Sequence, residues 1–478
     1  MTKPGDTQSA AEATLHVPLT SHVPIMPHVP ILLRVPLRVL IVAEHASAQF
    51  GGEAALPLLY YRLLRQRGIP VWLVVHERTR TELKTLFPQD GAHLVFVADT
   101  SAHRLLWQLS RLLPARLSNF TTGFAMRFLT QLAQRRVVRQ LVREQRISVI
   151  HQPMPVSPKE PSLIHGMGAP VIIGPMNGGI DYPPAFRHMQ SRTENLAIAA
   201  GRGFATLMNR LLPGKRRAAL LLVANERTRR ALPAGVCTRV EIMVENGVDL
   251  NLWRPAADAT SRLPSPTARY VFIGRLVDWK AVDLLLHAFS RAVMTSPMTL
   301  AIFGDGSERA NLEQLARELG IFTDEAAAPP GKVKFFGWMS QADCAVRLQQ
   351  CDVLVLPSLM ECGGAVVLEA MAMGMPAIAT DWGGPADYID SASGILVAPA
   401  PRPAFIENLA LALTRMAKSP KTRMAMGKAA RARVVQHFDW EIKVNRMLAL
   451  YRSVMPQSPQ TPEISRAPVV FALPDSKR

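Results

Sequence analysis

Cysteine is scarce in this sequence of 478 residues. There are four cysteines, Cys237, Cys344, Cys351 and Cys362, and no two of them form a Cys-x-x-Cys pair. Four cysteines in so long a chain are too few for a disulfide framework, and the missing pairs exclude a zinc ribbon. We therefore expect a chain that works in a reducing compartment, the cytoplasm.

Long uninterrupted apolar runs are missing as well. The apolar stretches at residues 31–43 and 363–380 are each interrupted by charged residues and proline. A membrane-spanning helix needs about 20 apolar residues in succession. The first residues also lack the basic and apolar regions of a secretory signal. We expect neither a transmembrane helix nor export.

Acidic residues are outnumbered, with 37 Asp and Glu against 55 Lys and Arg, a net charge of +18. This balance indicates an anionic partner: a phosphorylated substrate, an acidic membrane surface or nucleic acid. Residues 104–146 hold nine arginines but a single acid, Glu144, among many leucines and phenylalanines. The segment fits a membrane-surface patch, and it equally fits a pair of core-facing helices with a solvated arginine face.

The order of apolar and polar segments predicts the domain organisation. Residues 1–36 repeat a His-Val-Pro pattern whose prolines prevent a helix or a central strand. Beyond them, β-branched runs alternate with helical patterns twice over, which is typical of doubly wound parallel sheets. The predicted division is an extension (1–36), a Rossmann-like domain (37–250), a linker (251–268), a second Rossmann-like domain (269–437), a final helix (438–455) and a tail (456–478).

A pair of glutamates around two glycines is the most informative chemical pattern. Glu361 and Glu369 lie eight residues apart, and Gly363-Gly364 stands between them. On one continuous helix the carboxylates would diverge by about 80°, so they meet only if a helix begins after the glycines. The free N–H groups of that helix suit a phosphate, and the carboxylates suit sugar hydroxyls.

Two basic residues occur in the loop after the first strand of the second unit. Arg275 and Lys280 belong to this loop, and Gly304 begins the loop after the next strand. Ligands of doubly wound sheets bind at the carboxyl ends of the strands, where these loops and the Glu361–Gly364 loop would meet. Arg275 and Lys280 are therefore placed to hold a diphosphate.

Together these elements resemble the retaining nucleotide-sugar glycosyltransferases of family 4, which have the two-domain GT-B fold. The resemblance covers most of residues 37–455. It rests on five motifs in the family's order: the Gly51-Gly52 loop, Asn246-Gly247-Val248-Asp249, Gly274-Arg275-Leu276 with Lys280, Phe335 to Trp338, and the Glu361 to Glu369 element running into Ala370-Met371-Ala372.

The resemblance implies a role for each matching residue. Arg275 and Lys280 would hold the donor diphosphate, and Glu361 would contact the transferred sugar; these three form the implied catalytic set. Glu369 would bind the ribose hydroxyls. Phe336 and Gly337 would lie near the base of the nucleotide. The other implied donor-binding residues are Gly51, Gly52, Gly304, Gly363, Gly364, Gly383 and Gly384.

In two places the chain differs from the common pattern of the family. Cys362-Gly363-Gly364 stands where many members have Gly-Phe-Gly after the first glutamate. Many members also carry a histidine near the reacting sugar, where this chain has Asn177. Asn177 is thus one candidate for the acceptor side, and His151 at the end of a strand is another, although a single histidine is more often structural.

The expected activity is transfer of a hexose, with retention, from a nucleotide-diphosphate sugar to a lipid-linked or polysaccharide acceptor in cell-surface glycan synthesis. We expect no cofactor and no metal, because there is no Asp-x-Asp pair to hold a cation on the diphosphate. Expected partners are the donor, the acceptor and an anionic membrane surface, at the inner face of the membrane, and no nucleic acid. A sugar-nucleotide epimerase on the same fold and a basic scaffold without catalysis are the alternatives.

Overall fold

The computed structural model describes residues 36–112, 118, 121–190, 192–255 and 265–456. The predicted extension, apart from Pro36, and the predicted tail, apart from its first residue, lie outside the described residues, as does the middle of the predicted linker. No helix in the described ranges is long and apolar enough to span a membrane.

The first half of the chain folds around a parallel sheet of seven strands in the order β3-β2-β1-β4-β5-β6-β7. The central strands are almost wholly apolar and buried, because helices cover both faces of the sheet. The strand order reverses between β1 and β4, and this leaves a crevice at their carboxyl ends. The strands are β1 (Val39–Val42), β2 (Val71–His76), β3 (Leu94–Val97), β4 (Val149–Gln152), β5 (Val171–Met176), β6 (Leu220–Val223) and β7 (Val240–Ile242).

Helices connect these strands by crossovers on either side of the sheet. The longest of them carries much of the arginine-rich segment and packs against the ends of β1 and β2. The helices are α1 (Gly52–Gln66), α2 (Arg80–Leu86), α3 (Ser101–Ser110), α4 (Thr122–Glu144), α5 (Arg192–Leu211) and α6 (Glu226–Arg230).

The second half forms a parallel sheet of six strands in the order β10-β9-β8-β11-β12-β13. Its order reverses between β8 and β11, so its ligand crevice lies at the ends of those strands. The strands are β8 (Ala268–Ile273), β9 (Met298–Phe303), β10 (Val333–Gly337), β11 (Val353–Leu356), β12 (Ala377–Thr380) and β13 (Gly394–Val397). The helices are α7 (Val282–Ala292), α8 (Arg309–Glu318), α9 (Gln341–Leu348), α10 (Ala365–Ala372), α11 (Gly384–Tyr388), α12 (Arg402–Lys418) and α13 (Pro420–His437).

The last helix, α14 (Trp440–Val454), returns to the first sheet. Asp439 caps its start by accepting a hydrogen bond from the Glu441 N–H. Its buried face, which includes Trp440, Met447 and Tyr451, belongs to the apolar core on one side of the first sheet. The predicted fold class, two doubly wound parallel sheets with a C-terminal crossover helix, is confirmed.

The first sheet has three strands that the sequence did not predict, β5, β6 and β7. In β5 the apolar run is broken by Gly174-Pro175, which reads as a turn, and β7 is only three residues long. β5 is added next to β4, which was predicted at residues 148–151, and β7 is added next to β6, which was itself not predicted. Their pairing is therefore decided by tertiary contacts that a local pattern does not contain.

Candidate active site between the two sheets

The loops that follow β8, β9 and β10 lie against each other at one edge of the second sheet. The Gly304 N–H donates a hydrogen bond to the Gly337 carbonyl over 2.8 Å. The Gly274 N–H likewise donates to the Phe303 carbonyl over 3.0 Å. The structure thus brings the glycine loops together where the sequence predicted a meeting of ligand-binding loops.

Several glycines in this region are required by close packing of backbone on backbone. Gly304 has a φ of +143°, and a Cβ there would lie 1.9 Å from the Gly274 carbonyl oxygen. A Cβ on Gly383 would come within 2.3 Å of the Glu361 carbonyl oxygen, and one on Gly384 within 2.3 Å of the Cys362 carbonyl oxygen. No residue with a side chain fits these places, with or without a bound ligand.

The side chains of Lys280 and Glu361 form an ion pair, although they are 81 positions apart in the chain. Each side chain is only 15% exposed. The sequence assigned Lys280 to the diphosphate and Glu361 to the sugar; the structure places the two groups in contact at one point of the site. The two charges hold each other in position.

Arg275, five residues before Lys280 in the same loop, is in a different state. Its side chain is exposed, and no hydrogen bond or ion pair holds it among the described residues. An exposed guanidinium without a partner keeps all its donors for an anion, and its planar fork suits phosphate oxygens.

The glycines between the two glutamates end the loop and start α10. Gly364 precedes the helix with a φ of +73°, so Glu361 lies in the loop and Glu369 in the helix, as the spacing predicted. Glu369 is half-buried, and its carboxyl has no hydrogen bond in the described ranges. Burial raises the pKa of Glu369 to about 7. An isolated carboxyl of this kind is suited to accept hydroxyl hydrogen bonds from a ligand.

Phe336 and Gly337, the residues assigned to the base, lie at the end of β10. The Phe336 ring makes an edge contact with Phe303, with ring centroids 5.2 Å apart. The Arg347 guanidinium lies 4.8 Å and the Lys334 ammonium 5.2 Å from the Phe336 centroid. The surroundings of the predicted base site are therefore strongly cationic.

Asn177 links the first sheet to the donor loop. Its Nδ2 donates to Glu245 Oε1 over 2.6 Å and to the Cys362 carbonyl over 2.8 Å. Arg227 of α6 also points at the Cys362 carbonyl, over 3.4 Å. The sequence singled out Asn177 but missed Glu245, whose only signal is that it precedes the Asn246-Gly247 motif.

Glu245 is the buried centre of this junction. Burial raises the pKa of Glu245, and its Oε2 has no hydrogen-bond partner in the part of the chain that the structure describes. Lys443 of α14 donates to the Val244 and Glu245 carbonyls, and burial lowers the pKa of Lys443 to about 7. The crossover helix thereby fixes the segment that carries Glu245.

His151 lies in the core and away from the cleft. It is fully buried, its Nε2–H donates to the Gly174 carbonyl over 2.7 Å, and its Nδ1 accepts from the Tyr451 hydroxyl over 2.7 Å. Burial lowers the pKa of His151 to about 4. Both ring nitrogens are in use, so the structure favours the structural interpretation of His151 over an acceptor-side role.

Gly51 and Gly52 begin α1 and are exposed, and a Cβ on either would meet no atom within 4 Å. Their chain neighbours Phe50 and Glu53, but not the two glycines, line a cavity of about 530 Å³ at the carboxyl ends of β1, β4 and β5. Asn177 and Cys362 lie in its wall, so the cavity adjoins the donor loop. This is the crevice expected where the strand order reverses.

One group of potential metal ligands forms in the described residues, although no sequence spacing indicated it. His76, Asp99 and His103 bring a ligand atom each within 4.8 Å of one another. The His76 Nδ1 accepts from the Arg78 N–H and the His103 Nδ1 from the Thr100 N–H, each over 3.2 Å. The His76 Nε2 lies 3.0 Å from Asp99 Oδ1 and the His103 Nε2 lies 3.1 Å from the Thr130 hydroxyl, so these nitrogens already have hydrogen-bond partners within the protein.

Two relatives of known sequence each match just under half of the chain. The chain is 32% identical over 227 residues to a D-inositol 3-phosphate glycosyltransferase of Saccharomonospora viridis, which is 44% of this chain and 50% of that protein. It is 29% identical over 236 residues to a glycogen synthase of Mycobacterium tuberculosis, which is 49% of this chain and 53% of that protein. The chain thus spans about half the length of the curated relatives it matches.

Solved structures share the fold over most of the chain. Anabaena HepE in complex with UDP aligns with a TM-score of 0.58 at 18% identity, covering 87% of this chain and all of HepE. Sucrose-phosphate synthase from Thermosynechococcus elongatus aligns with a TM-score of 0.58 at 18% identity, covering 87% of this chain and 99% of the synthase.

The family model described as "Glycosyl transferases group 1" matches residues 254–433. This segment contains the second sheet and all the loops that carry Arg275, Lys280, Glu361 and Glu369. The resemblance drawn from the motifs is confirmed for this part of the chain. Residues 254–433 form a glycosyl transferases group 1 domain, in a chain that has the GT-B fold.

Proposed function

We propose that the protein is a retaining glycosyltransferase that moves a hexose from a nucleotide-diphosphate sugar to a glycan or lipid-linked acceptor. The observation that carries the proposal is one cluster inside the group 1 domain. It comprises Arg275, which is exposed and has no side-chain partner among the described residues, the Lys280–Glu361 pair and the N-terminus of α10, all at loops that follow strands of the second sheet.

Cleavage of the donor produces negative charge that this cluster is suited to stabilise. When the anomeric C–O bond breaks, the electron pair leaves with the diphosphate oxygen, and negative charge grows there. Fixed cations and helix N–H groups stabilise such charge without reorganisation. Arg275 and Lys280 supply the cations, so the proposed reaction needs no metal ion.

Retention follows from attack on the face that the diphosphate leaves. The acceptor hydroxyl oxygen forms the new bond to the anomeric carbon, and its proton passes to the departing diphosphate oxygen. Glu361 is held by Lys280 and is assigned to the hydroxyls of the transferred sugar, so no side chain is proposed as a covalent nucleophile.

Binding to an anionic membrane surface is part of the proposal. The end of α3 and the residue pair that follows it expose large apolar side chains, with Trp107 52%, Leu109 44% and Leu112 80% exposed. Arg104 and Arg111 are exposed in the same stretch, and Arg111 stacks on Trp107. Apolar and cationic groups combined in this way suit an acidic lipid surface.

Screening UDP-, GDP- and ADP-sugars for nucleotide release tests the proposal. UDP-sugars come first, because HepE is described in complexes with UDP and with UDP-glucose. We expect release that persists in EDTA and increases when an acceptor is added. Conversion of the donor sugar without an acceptor would identify an epimerase, and salt-dependent binding without any sugar chemistry would identify a scaffold.

A further inference from the structure

The cavity beside the donor loop has the opposite charge to the protein that contains it. Three carboxylates line it, Glu44, Glu53 and Glu160, against one guanidinium, Arg127. Arg127 Nε donates to Glu160 Oε1 over 2.7 Å, so the cation is already neutralised. In a chain of net charge +18, this cavity wall carries an excess of negative charge.

The three cavity carboxylates do not titrate alike: burial raises the pKa of Glu53, and the charges of Glu160 and Glu245 add to that rise. Burial acts to raise the pKa of Glu44, but the hydrogen bond and charge of His45 and the charges of Arg127 and Arg78 lower it overall. Burial raises the pKa of Glu160, while Arg127 acts in the other direction. Lys215 donates to the Pro158 carbonyl behind the wall, and burial lowers the pKa of Lys215 to about 7.

The rest of the wall includes neutral amide side chains whose donors and acceptors are not all used among the described residues. Gln134 is 1% exposed, and its Nε2 donates a hydrogen bond to the Ala43 carbonyl. Gln152 is 2% exposed, and its Oε1 accepts a hydrogen bond from the Ser162 hydroxyl. No hydrogen bond of Gln134 Oε1 or Gln152 Nε2 is found among the described residues, and both side chains line the cavity. An acceptor and a donor on buried amides thus remain free for a ligand.

Phe50 completes the cavity at its rim, where its ring is 52% exposed. An exposed aromatic face gives apolar contact to the carbon face of a sugar ring. Carboxylates, free amides and an aromatic rim together match a ring with many hydroxyls. The same carboxylates repel phosphate and carboxylate groups in a partly dehydrated site.

We infer that this cavity binds the acceptor of the proposed reaction as an uncharged, hydroxyl-rich sugar, and that it rejects a phosphorylated or carboxylated sugar at this position. The inference rests on the proposed function. It distinguishes this chain from the matched relatives named for inositol 3-phosphate. A lipid-linked acceptor fits only if its phosphate lies outside the cavity.

The test uses the full chain with a donor that gives nucleotide release, and compares matched oligosaccharides with and without a phosphate on the terminal sugar. We expect kcat/KM for the neutral member of each pair to exceed that of the phosphorylated member by about tenfold or more. The double variant Glu44→Gln, Glu160→Gln should lower the ratio of kcat/KM for the neutral member to kcat/KM for the phosphorylated member. Glu144→Gln, an exposed carboxylate of α4 outside the cavity, is the matched control.

Three other outcomes overturn the inference or the proposal beneath it. Equal or better transfer to the phosphorylated members would overturn the inference, as would nucleotide release without transfer to any neutral sugar. No nucleotide release from any donor would overturn the proposed function itself. The ratio of kcat/KM for neutral and phosphorylated acceptors, measured on the unmodified protein, tests the inference even if the double variant does not fold.

Discussion

The Lys280–Glu361 ion pair determines how single residues of the site can be tested. Both side chains are mostly buried, so removal of one leaves the other charged and unpaired, at a large cost. A Lys280 variant therefore loses a cation and also leaves the Glu361 carboxylate unpaired, so its kinetics report both effects together. Arg275, which is exposed and unpaired in the described residues, gives the cleaner test.

Donor binding should depend on pH through Glu369. The pKa of Glu369 is about 7 because the carboxyl is buried, and its ionised form accepts hydroxyl hydrogen bonds best. We predict that KM for the donor falls about tenfold from pH 6 to pH 8 as the carboxylate forms. Steady-state kinetics on the unmodified protein and Glu369→Gln should show this dependence only in the former. An equal dependence in both would assign it to another group.

His151 should make the fold sensitive to acid. Its pKa is about 4 in the folded protein and returns to about 6.5 on unfolding, so the unfolded chain binds more protons between these values. The unfolding free energy should therefore fall as pH drops from 6.5 to 4, by up to about 3 kcal/mol from this residue. Denaturant unfolding of the protein and of His151→Gln measures the difference. Identical slopes against pH would contradict the assignment.

At this scale the sequence predicted the residues of the donor loops but not their contacts. Arg275, Lys280, Glu361 and Glu369 stand out by type and spacing. Asn177, however, meets partners 68 and 185 positions away, and nothing in the local sequence of Glu245 or Cys362 marks them as those partners.

Among the elements, the loops of the second sheet depend on glycines for their close approach. We predict that Gly304→Ala costs more than about 2 kcal/mol of unfolding free energy, because its Cβ would overlap the Gly274 carbonyl oxygen and its φ is positive. Gly52→Ala is the matched control, since a Cβ there meets open space at the start of α1. Denaturant unfolding compares the two. A neutral Gly304→Ala would show that the loops do not pack this tightly.

The end of α3 is the element proposed to meet the membrane. The variant Trp107→Ser, Leu109→Ser, Leu112→Ser should bind anionic vesicles at least about tenfold more weakly, because each exposed side chain loses about 1.5–3 kcal/mol of possible burial. Leu411→Ser, 59% exposed on α12, is the control. Vesicle sedimentation at two salt concentrations measures both. Unchanged binding would leave this surface without a membrane role.

Replacing the arginines of α4 would test membrane binding less directly than replacing the apolar side chains at the end of α3. Arg135 is half-buried and donates to the Leu163 carbonyl, so it is held by the fold. Arg136, Arg139 and Arg143 are exposed. The sequence left two interpretations of the whole segment open, a membrane-surface patch and core-facing helices with a solvated arginine face, and the structure divides the segment between a packed helix and an exposed helix end.

Strand prediction also succeeded unequally in the two sheets. All six strands of the second sheet follow from short apolar runs between clear helices. In the first sheet, β5 and β7 are interrupted or very short, and their pairing is set by neighbours distant in sequence. Local pattern was sufficient for the second sheet and insufficient for β5 and β7, where tertiary contacts complete the pairing, whereas β6 is a regular apolar run that the sequence also missed.

In the molecule as a whole, contacts distant in sequence connect the two sheets around the proposed reaction centre. The crossover helix α14 packs on the first sheet and holds the Glu245 segment through Lys443. Asn177 connects that segment to the Cys362 carbonyl of the donor loop. The acidic cavity on one side and the cationic donor loops on the other give the two substrates opposite electrostatic surroundings.

Donor-saturation kinetics of Arg275→Ala test the central claim most directly. If Arg275 stabilises charge on the departing diphosphate, kcat for nucleotide release should fall by about 10²–10³, the usual cost of removing such a donor. Arg291→Ala, an exposed arginine of α7 paired with Glu407, should keep unmodified kinetics. A folded Arg275→Ala protein with unchanged kcat and KM would place the donor site elsewhere and contradict the proposed function.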